Sequence, residues 1–283
     1  MAEKENNKNS QNDTTELLEK ARGGDSEALE ALLRAVQPQL YRFSLKMCRH
    51  EEDAEDVLQD SMLSLARSFR DFRGASSLST WLYSIARSFC IKKRRKSKFA
   101  PKYEESLDSL ASKDQENIQS QLRGPDKQAE SAELWRQIRD GIGKIEPAYR
   151  EILVLRDIEG LSAKEVAEIV DLTVPAVKSR LHRARSQLRE QLTMAAYDPG
   201  PGCPNIRQVF SEHLEGDLSP DICSSMEAHV ATCPTCATEC IGLKQALNAC
   251  STATFEVPEE VRVRIQIALR QIIQKKPSPT NIS

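Results

Sequence analysis

The sequence predicts an all-α protein, and three observations carry that prediction. Apolar residues in the patterned stretches recur at three- and four-residue steps, and none of these stretches reads convincingly as a sheet. Aromatic content is only 5% against 29% charged residues, a balance that leans toward helices. The expected architecture is two small helical domains joined by a linker, followed by a small helical Cys-rich domain, within 283 residues. No run approaches the ~18 apolar residues of a membrane helix. The polar start MAEKENNKNSQNDTTE lacks the apolar core of a secretory signal. A cytoplasmic protein with no membrane partner is therefore expected.

Taken in order, Leu17, Leu18, Leu29, Leu32, Leu33, Val36, Leu40, Phe43 and Met47 mark helix from about Glu16 to Arg49. Gly23-Gly24-Asp25 breaks it, and Asp25 or Ser26 can cap the helix beyond the break. Ala54, Val57, Leu58, Met62, Leu65 and Phe69 define a second helix, and a third runs from Ser79 to about Lys98. Residues 99–130 are polar and Ser/Gln-rich and read as a linker. Helical pattern returns at Leu134, Ile138, Ile142 and Ile145, and Pro147 restarts a helix through Leu155. Ser162 caps a short helix, Asp171-Leu172-Thr173 makes a tight turn, and Thr173 caps a second helix with Pro175 in its first turn. That pair is a helix-turn-helix. Tyr197-Asp-Pro-Gly-Pro-Gly is a boundary before the Cys-rich module. Val261 to Ile267 alternates as a strand would, but Pro258 and two following Glu favour a terminal helix.

The net charge of −2 conceals two basic tracts without acids, Arg87–Lys98 and Lys178–Arg189. In the second, Val177, Leu181, Ala184 and Leu188 form an inner stripe. Lys178, Ser179, His182 and Arg183 lie elsewhere on the helix near its N-terminus, where a recognition helix reaches base edges. Arg180, Arg185 and Arg189 stand where phosphates would pass. The competing reading, a solvated basic face, loses weight because a capped helix and turn precede it. The first tract follows Phe69, Phe72, Trp81 and Tyr83, a pairing of rings and cations suited to melted nucleic acid. Trp81, Arg94 and Arg95 are its candidate contacts, although Trp81 and Phe69 also fit ordinary core positions.

The stretch EEDAEDVLQDSMLSLARSFRDFRGASSLSTWLYSIARSFCIKKRRK resembles region 2 of the extracytoplasmic-function (ECF) sigma factors of bacterial RNA polymerase. IEPAYREILVLRDIEGLSAKEVAEIVDLTVPAVKSRLHRARSQLREQL resembles their region 4. The resemblance implies region 2 over residues 15–98 and region 4 over 131–193. It implies that Asp56, Gln59 and Asp60 lie on the helix that docks on core polymerase. It further implies that the Phe72–Ser79 loop and the next helix open the −10 element. Lys178, Ser179, His182 and Arg183 would read the −35 element. The chain departs from the family's usual pattern at Ser88, Lys92, Asp171 and Pro175, which leaves its promoter sequence open.

Six of the eight cysteines fall between Cys203 and Cys250. His229-x3-Cys233-x2-Cys236 puts two ligands one helical turn apart and folds a third back toward them. Zinc takes four N/S ligands, and Cys203 is the choice for the fourth, with His213 and Cys223 as weaker candidates. The segment from Cys203 to Cys236 resembles the zinc-binding anti-sigma fold, LEGDLS standing for its characteristic turn. One zinc, structural or redox-sensing, is therefore expected in a domain spanning 201–250. A metal-free thiol switch and a degenerate structural domain are the alternatives. The amphipathic helix over 257–276 could dock on the sigma regions or pack only on its own module.

Together these features describe a promoter-specificity subunit whose partners are core RNA polymerase and promoter DNA, with room for a separate anti-sigma factor and with regulation in cis by the zinc module. A stand-alone helix-turn-helix regulator is the alternative, but it has no use for DAEDVLQD or the FRG and STWLYSIAR elements. An enzyme is not expected: a Cys3His site is closed, and HExxH, GxSxG and phosphate-cradling glycine motifs are missing.

Overall fold

The computed structural model describes residues 13–48, 50–99, 138–192, 198–252 and 257–274. The expected linker at 99–130 therefore lies almost wholly outside the described residues. All regular structure among them is helical. Two compact units form. One contains α1 (residues 13–22), α2 (Ser26–Met47), α3 (Glu51–Ser68), α4 (Leu78–Phe99) and the terminal helix α12 (Glu259–Gln274). The other contains α5 (residues 138–144), α6 (Pro147–Leu153), α7 (Ala163–Val170), α8 (Val174–Leu192), α9 (Ile206–Glu215), α10 (Pro220–Thr232) and α11 (Pro234–Thr252).

In the first unit Asp25 caps α2, accepting from the backbone N–H groups of Glu27 and Ala28 at 2.9 and 3.0 Å. The apolar stripe of α2 meets Val57, Leu58, Met62 and Leu65 of α3 and Leu82, Tyr83 and Ala86 of α4, all buried. Phe43 and Tyr83 pack with ring centroids 5.1 Å apart. The Tyr83 hydroxyl accepts from the Gln39 amide at 2.7 Å, so its polar end is satisfied. Gly74, at φ 72°, turns the chain into α4. Ser77 starts that helix by accepting from the Thr80 N–H at 3.1 Å.

α12 is a helix, and Val261, Ile265 and Leu269 are buried along one side of it. It packs on α3, where Arg264 donates to Glu55 at 2.8 Å. Of the two placements open to it from sequence, it takes the one on region 2.

In the second unit Ser162 and Glu165 form a capping box on α7. The turn to α8 passes through Asp171 at φ 57°. Gly is usual at such a left-handed position, and Asp is one of the few other residues that adopt it readily. Val177, Leu181, Ala184 and Leu188 of α8 are fully buried, as their spacing predicts. Residues 154–158 widen α6 into a π turn, which the periodicity does not show. The module read as a separate 201–250 domain shares one unit with α5–α8, because α9 and α11 both pack on α8.

Candidate nucleic-acid interface and metal centre

The helix read as the DNA-reading element is already engaged. Arg185 of α8 donates bidentately to Asp157 at 2.8 and 2.6 Å. It also donates to Glu215 at 2.8 Å and to the carbonyl and hydroxyl of Ser211 at 2.9 and 2.8 Å. Those five bonds use every N–H donor a guanidinium has. The side chains of Arg185, Asp157 and Glu215 are only 3%, 8% and 2% exposed. The expectation that Arg185 stands free for a phosphate is corrected: burial against α9 takes it out of water and uses all of its donors. Glu215 reaches a second cation, Arg156, at 3.0 Å. Arg156 and Asp157 both lie in the π turn.

Around this centre, Lys178 pairs with Asp217, and the His182 imidazole shares a 2.6 Å hydrogen bond with the Ser211 hydroxyl. Burial pushes the His182 imidazole down. Arg189, a second expected phosphate contact, is buried and faces Glu239 at 3.3 Å. A Cβ on Gly242 of α11 would come within 2.5 Å of the Arg189 guanidinium, so the helices pack closely there. Arg180 is half-buried and Ser179 exposed, while the exposed Arg183 donates to the Tyr149 hydroxyl at 3.2 Å. Ser211, Glu215 and Asp217 are the residues that sequence reading missed. LEGDLS contains two of them but reads as a turn, and nothing local says which cations they meet.

In the first unit Trp81 is half-buried with its ring 5.1 Å from Phe72, and Arg94 and Arg95 are exposed. Asp56 is exposed and pairs with Lys93 at 2.6 Å. Such a surface pair stabilises by only ~0–1 kcal/mol. Asp60 is exposed and Gln59 half-buried. Glu55, Gln59 and Met62 follow at i, i+4 and i+7 on α3. The first pairs with Arg264, and the last lines a cleft with Ile265 and Leu269. Gln59 therefore falls on the stripe that α12 approaches.

Cys203, His229, Cys233 and Cys236 come together with all four ligand atoms within 4.8 Å of one another. Cys203 Sγ and Cys233 Sγ are 3.8 Å apart, and His229 Nε2 and Cys236 Sγ 3.3 Å. A tetrahedron with bonds of ~2.0–2.3 Å has edges of ~3.3–3.8 Å. The set thus fits a zinc ion closely. Local structure explains the convergence: Cys233 ends α10 by donating its N–H to the His229 carbonyl, and Pro234 starts α11 with Cys236 in its first turn. Hydrogen bonding from the Cys236 backbone holds the Cys233 thiol below its usual range, favouring the thiolate a metal needs. The module's own core, Ile206, Met226, Cys236 and Cys240, is small, and a bound metal commonly supplies the stability such a core lacks. Burial, reinforced by Glu239, pushes the Cys240 thiol up to about 11, so Cys240 stays protonated. His213 and Cys223 are outside the four-ligand group and pair with each other.

Comparison with known proteins finds three family models that match parts of the chain. Residues 32–99 match the sigma-70 region 2 family model, 135–188 the sigma-70 region 4 model and 203–237 a zinc-finger family model. The ECF RNA polymerase sigma factor SigW of Bacillus subtilis is 31% identical over 180 residues, covering 62% of this chain and 94% of that protein. The ECF RNA polymerase sigma-E factor of Haemophilus influenzae is 31% identical over 181 residues, covering 62% of this chain and 93% of that protein. Among solved structures, CnrH in complex with the cytosolic domain of CnrY is 25% identical with a TM-score of 0.45, covering 62% of this chain and 94% of that one.

Proposed function

Because the chain belongs to the ECF RNA polymerase sigma factors, we propose that it directs core polymerase to specific promoters and that its C-terminal module restrains it in cis. Region 2 would bind core through Asp56, Gln59 and Asp60 and melt the −10 element with Trp81, Arg94 and Arg95. Region 4 would read the −35 element with Lys178, Ser179, His182 and Arg183, while Arg180, joined by Arg185 only once the module has released it, steadies the backbone. The chain supplies specificity and binding and no catalysis of its own. Cys203, His229, Cys233 and Cys236 hold one zinc that keeps α9, α10 and α11 folded together.

One observation carries the restraint. Lys178, His182 and Arg185, three of the residues that would meet DNA, are bound by Asp217, by Ser211, and by Ser211 with Glu215 of the module. A carboxylate shared by two guanidiniums offers them what a phosphate would. The terminal helix adds a second restraint by lying on α3. Covalent attachment keeps the local concentration of both high. This geometry favours inhibition over assistance.

The test is reconstituted transcription with core polymerase, comparing full-length protein, a truncation at Asp198 and Gly242→Leu. The last variant drives the Arg189 guanidinium off Gly242 and away from Glu239, and it replaces no zinc ligand. Both changes should raise promoter-specific initiation. Equal activity of all three proteins refutes restraint in cis, and no initiation by any of them refutes the sigma reading.

A further inference from the structure

Tyr149 meets α8 on a side away from the Cys-rich module. Arg183 of α8 donates from one terminal nitrogen, Nη1, to the Tyr149 hydroxyl at 3.2 Å. Four residues on, Gln187 Oε1 accepts from the Glu146 N–H at 3.1 Å. Glu146 precedes α6 and its own side chain does not cap the helix, so the Gln187 amide satisfies a backbone donor there. Arg183 and Gln187 share one face of α8, and Glu146 and Tyr149 flank the first turn of α6. The two bonds therefore seat the start of α6 along that face. Behind it, Ile152 and Leu153 are fully buried and anchor α6 in the core. Tyr is a stiff support for such a contact, with only two side-chain torsions to fix.

We propose that Tyr149 is a positioning residue for −35 specificity, its hydroxyl holding the Arg183 guanidinium in the attitude that meets a base edge. The inference rests on the reading of Arg183 as a base contact. On α8, Arg183 lies about 100–160° around the helix from Lys178, His182 and Arg185, the residues bound by the module. It is exposed, while Tyr149 is half-buried. Bidentate recognition of a guanine takes two of the five donors a guanidinium carries. The phenol takes one donor on Nη1, and the edge formed by Nε and Nη2 stays open to a base. A long flexible side chain that is ordered only on binding loses the equivalent of about two- to tenfold in affinity. Tyr149 supplies that order before DNA arrives, and the gain falls at the one base that Arg183 meets. Arg183 keeps its charge with or without the phenol, so the number of phosphates neutralised does not change.

The experiment presents full-length protein, assembled with core polymerase, with duplex DNA randomised over the −35 segment, and sequences the bound fraction. Wild-type protein should enrich one motif, and Arg183→Ala should relax one position of it. Tyr149→Phe, which removes only the hydroxyl, should relax that same position by about two- to tenfold. It should leave the other positions, the salt slope and the unfolding midpoint as in wild type. In the Arg183→Ala background, Tyr149→Phe should change nothing further. If Arg183→Ala relaxes a position that Tyr149→Phe leaves intact, the positioning role alone is overturned. Evenly weaker binding of Tyr149→Phe to every sequence, or a lowered midpoint with unchanged preference, overturns it too, since a phosphate contact or a packing residue behaves so. No position relaxed in Arg183→Ala removes the base contact itself, and the inference falls with it.

Discussion

Arg185 and Glu215 meet at 2.8 Å with their side chains only 3% and 2% exposed, although 30 residues separate them in the chain. Removing one member of a buried pair strands the other charge, at ~3–5 kcal/mol when no partner remains. Here Asp157 still holds the guanidinium from its other side, so a smaller loss of ~1–3 kcal/mol is expected for Glu215→Ala. That loss falls on the contact between α8 and α9. Binding of full-length protein to a duplex −35 element should therefore tighten, by fluorescence anisotropy. Unchanged affinity means that Glu215 does not restrain the reading helix. Asp157→Ala should instead lower the unfolding midpoint of the unit without tightening DNA binding.

The α8–α9 contact should weaken in acid. Burial holds the His182 imidazole below its ordinary value of ~6.5, and Arg185 adds to the lowering against the upward pull of Glu212, Glu215 and Asp217. A ring released from the contact takes up a proton first as pH falls. The contact is thus fully stabilised above ~6.5 and loses that contribution as pH drops through 6.5 toward the lowered value. Urea midpoints of wild-type and His182→Gln protein should diverge less at about pH 5.5 than at about pH 7.5. Protonation of the zinc ligands acts on both proteins alike, so the difference between them isolates His182. Parallel curves refute the assignment.

Base and phosphate roles separate in protein truncated at Asp198, where the module no longer covers α8. Lys178→Ala and Arg183→Ala should each cost ~1–3 kcal/mol and relax sequence preference. Arg185→Ala should weaken binding evenly across sequences and reduce the salt slope by about one. In full-length protein the Arg185 effect should be masked, since all five donors are already engaged. Identical behaviour of the three variants on every sequence shows that the reading face is misassigned.

Ile265 of α12 is 1% exposed where the helix lies on α3. Ile265→Ala should cost that contact ~2–5 kcal/mol, whereas Arg264→Ala, losing a surface pair with Glu55, should cost ~0–1 kcal/mol. If α12 shields the polymerase-docking stripe, Ile265→Ala tightens binding of full-length protein to core polymerase and Arg264→Ala barely changes it. Gln59→Ala combined with Asp60→Ala should weaken core binding in either background. Core affinity indifferent to Ile265→Ala removes α12 from the regulatory scheme.

Cys233→Ser should lose the zinc and loosen α9–α11 together, read as metal content by plasma emission and as helicity by circular dichroism. Cys240, with its thiol near 11, should resist alkylation in the folded protein and react once zinc is chelated. Full retention of zinc in Cys233→Ser refutes the ligand set.

Much of this protein was legible from the chain alone, because the signals involved are local. The Ser162–Glu165 capping box spans four residues, and the Val177–Leu188 stripe repeats within a few turns of one helix. Likewise His229, Cys233 and Cys236 are brought together by the end of one helix and the start of the next. Periodicity and spacing encode such features directly, since backbone geometry alone places residues three and four apart on one face. Tertiary structure decided the rest. A basic helix reads the same whether water, DNA or Glu215 faces it. Only packing put Ser211 and Glu215 against Arg185, 26 and 30 residues away, and Arg264 against Glu55, 209 residues away. It also turned two spare ligand candidates, His213 and Cys223, into a pair 3.3 Å apart. Ion pairs and metal clusters depend on which surfaces are buried together. That choice comes from the summed burial of many residues, and no short stretch of sequence records it.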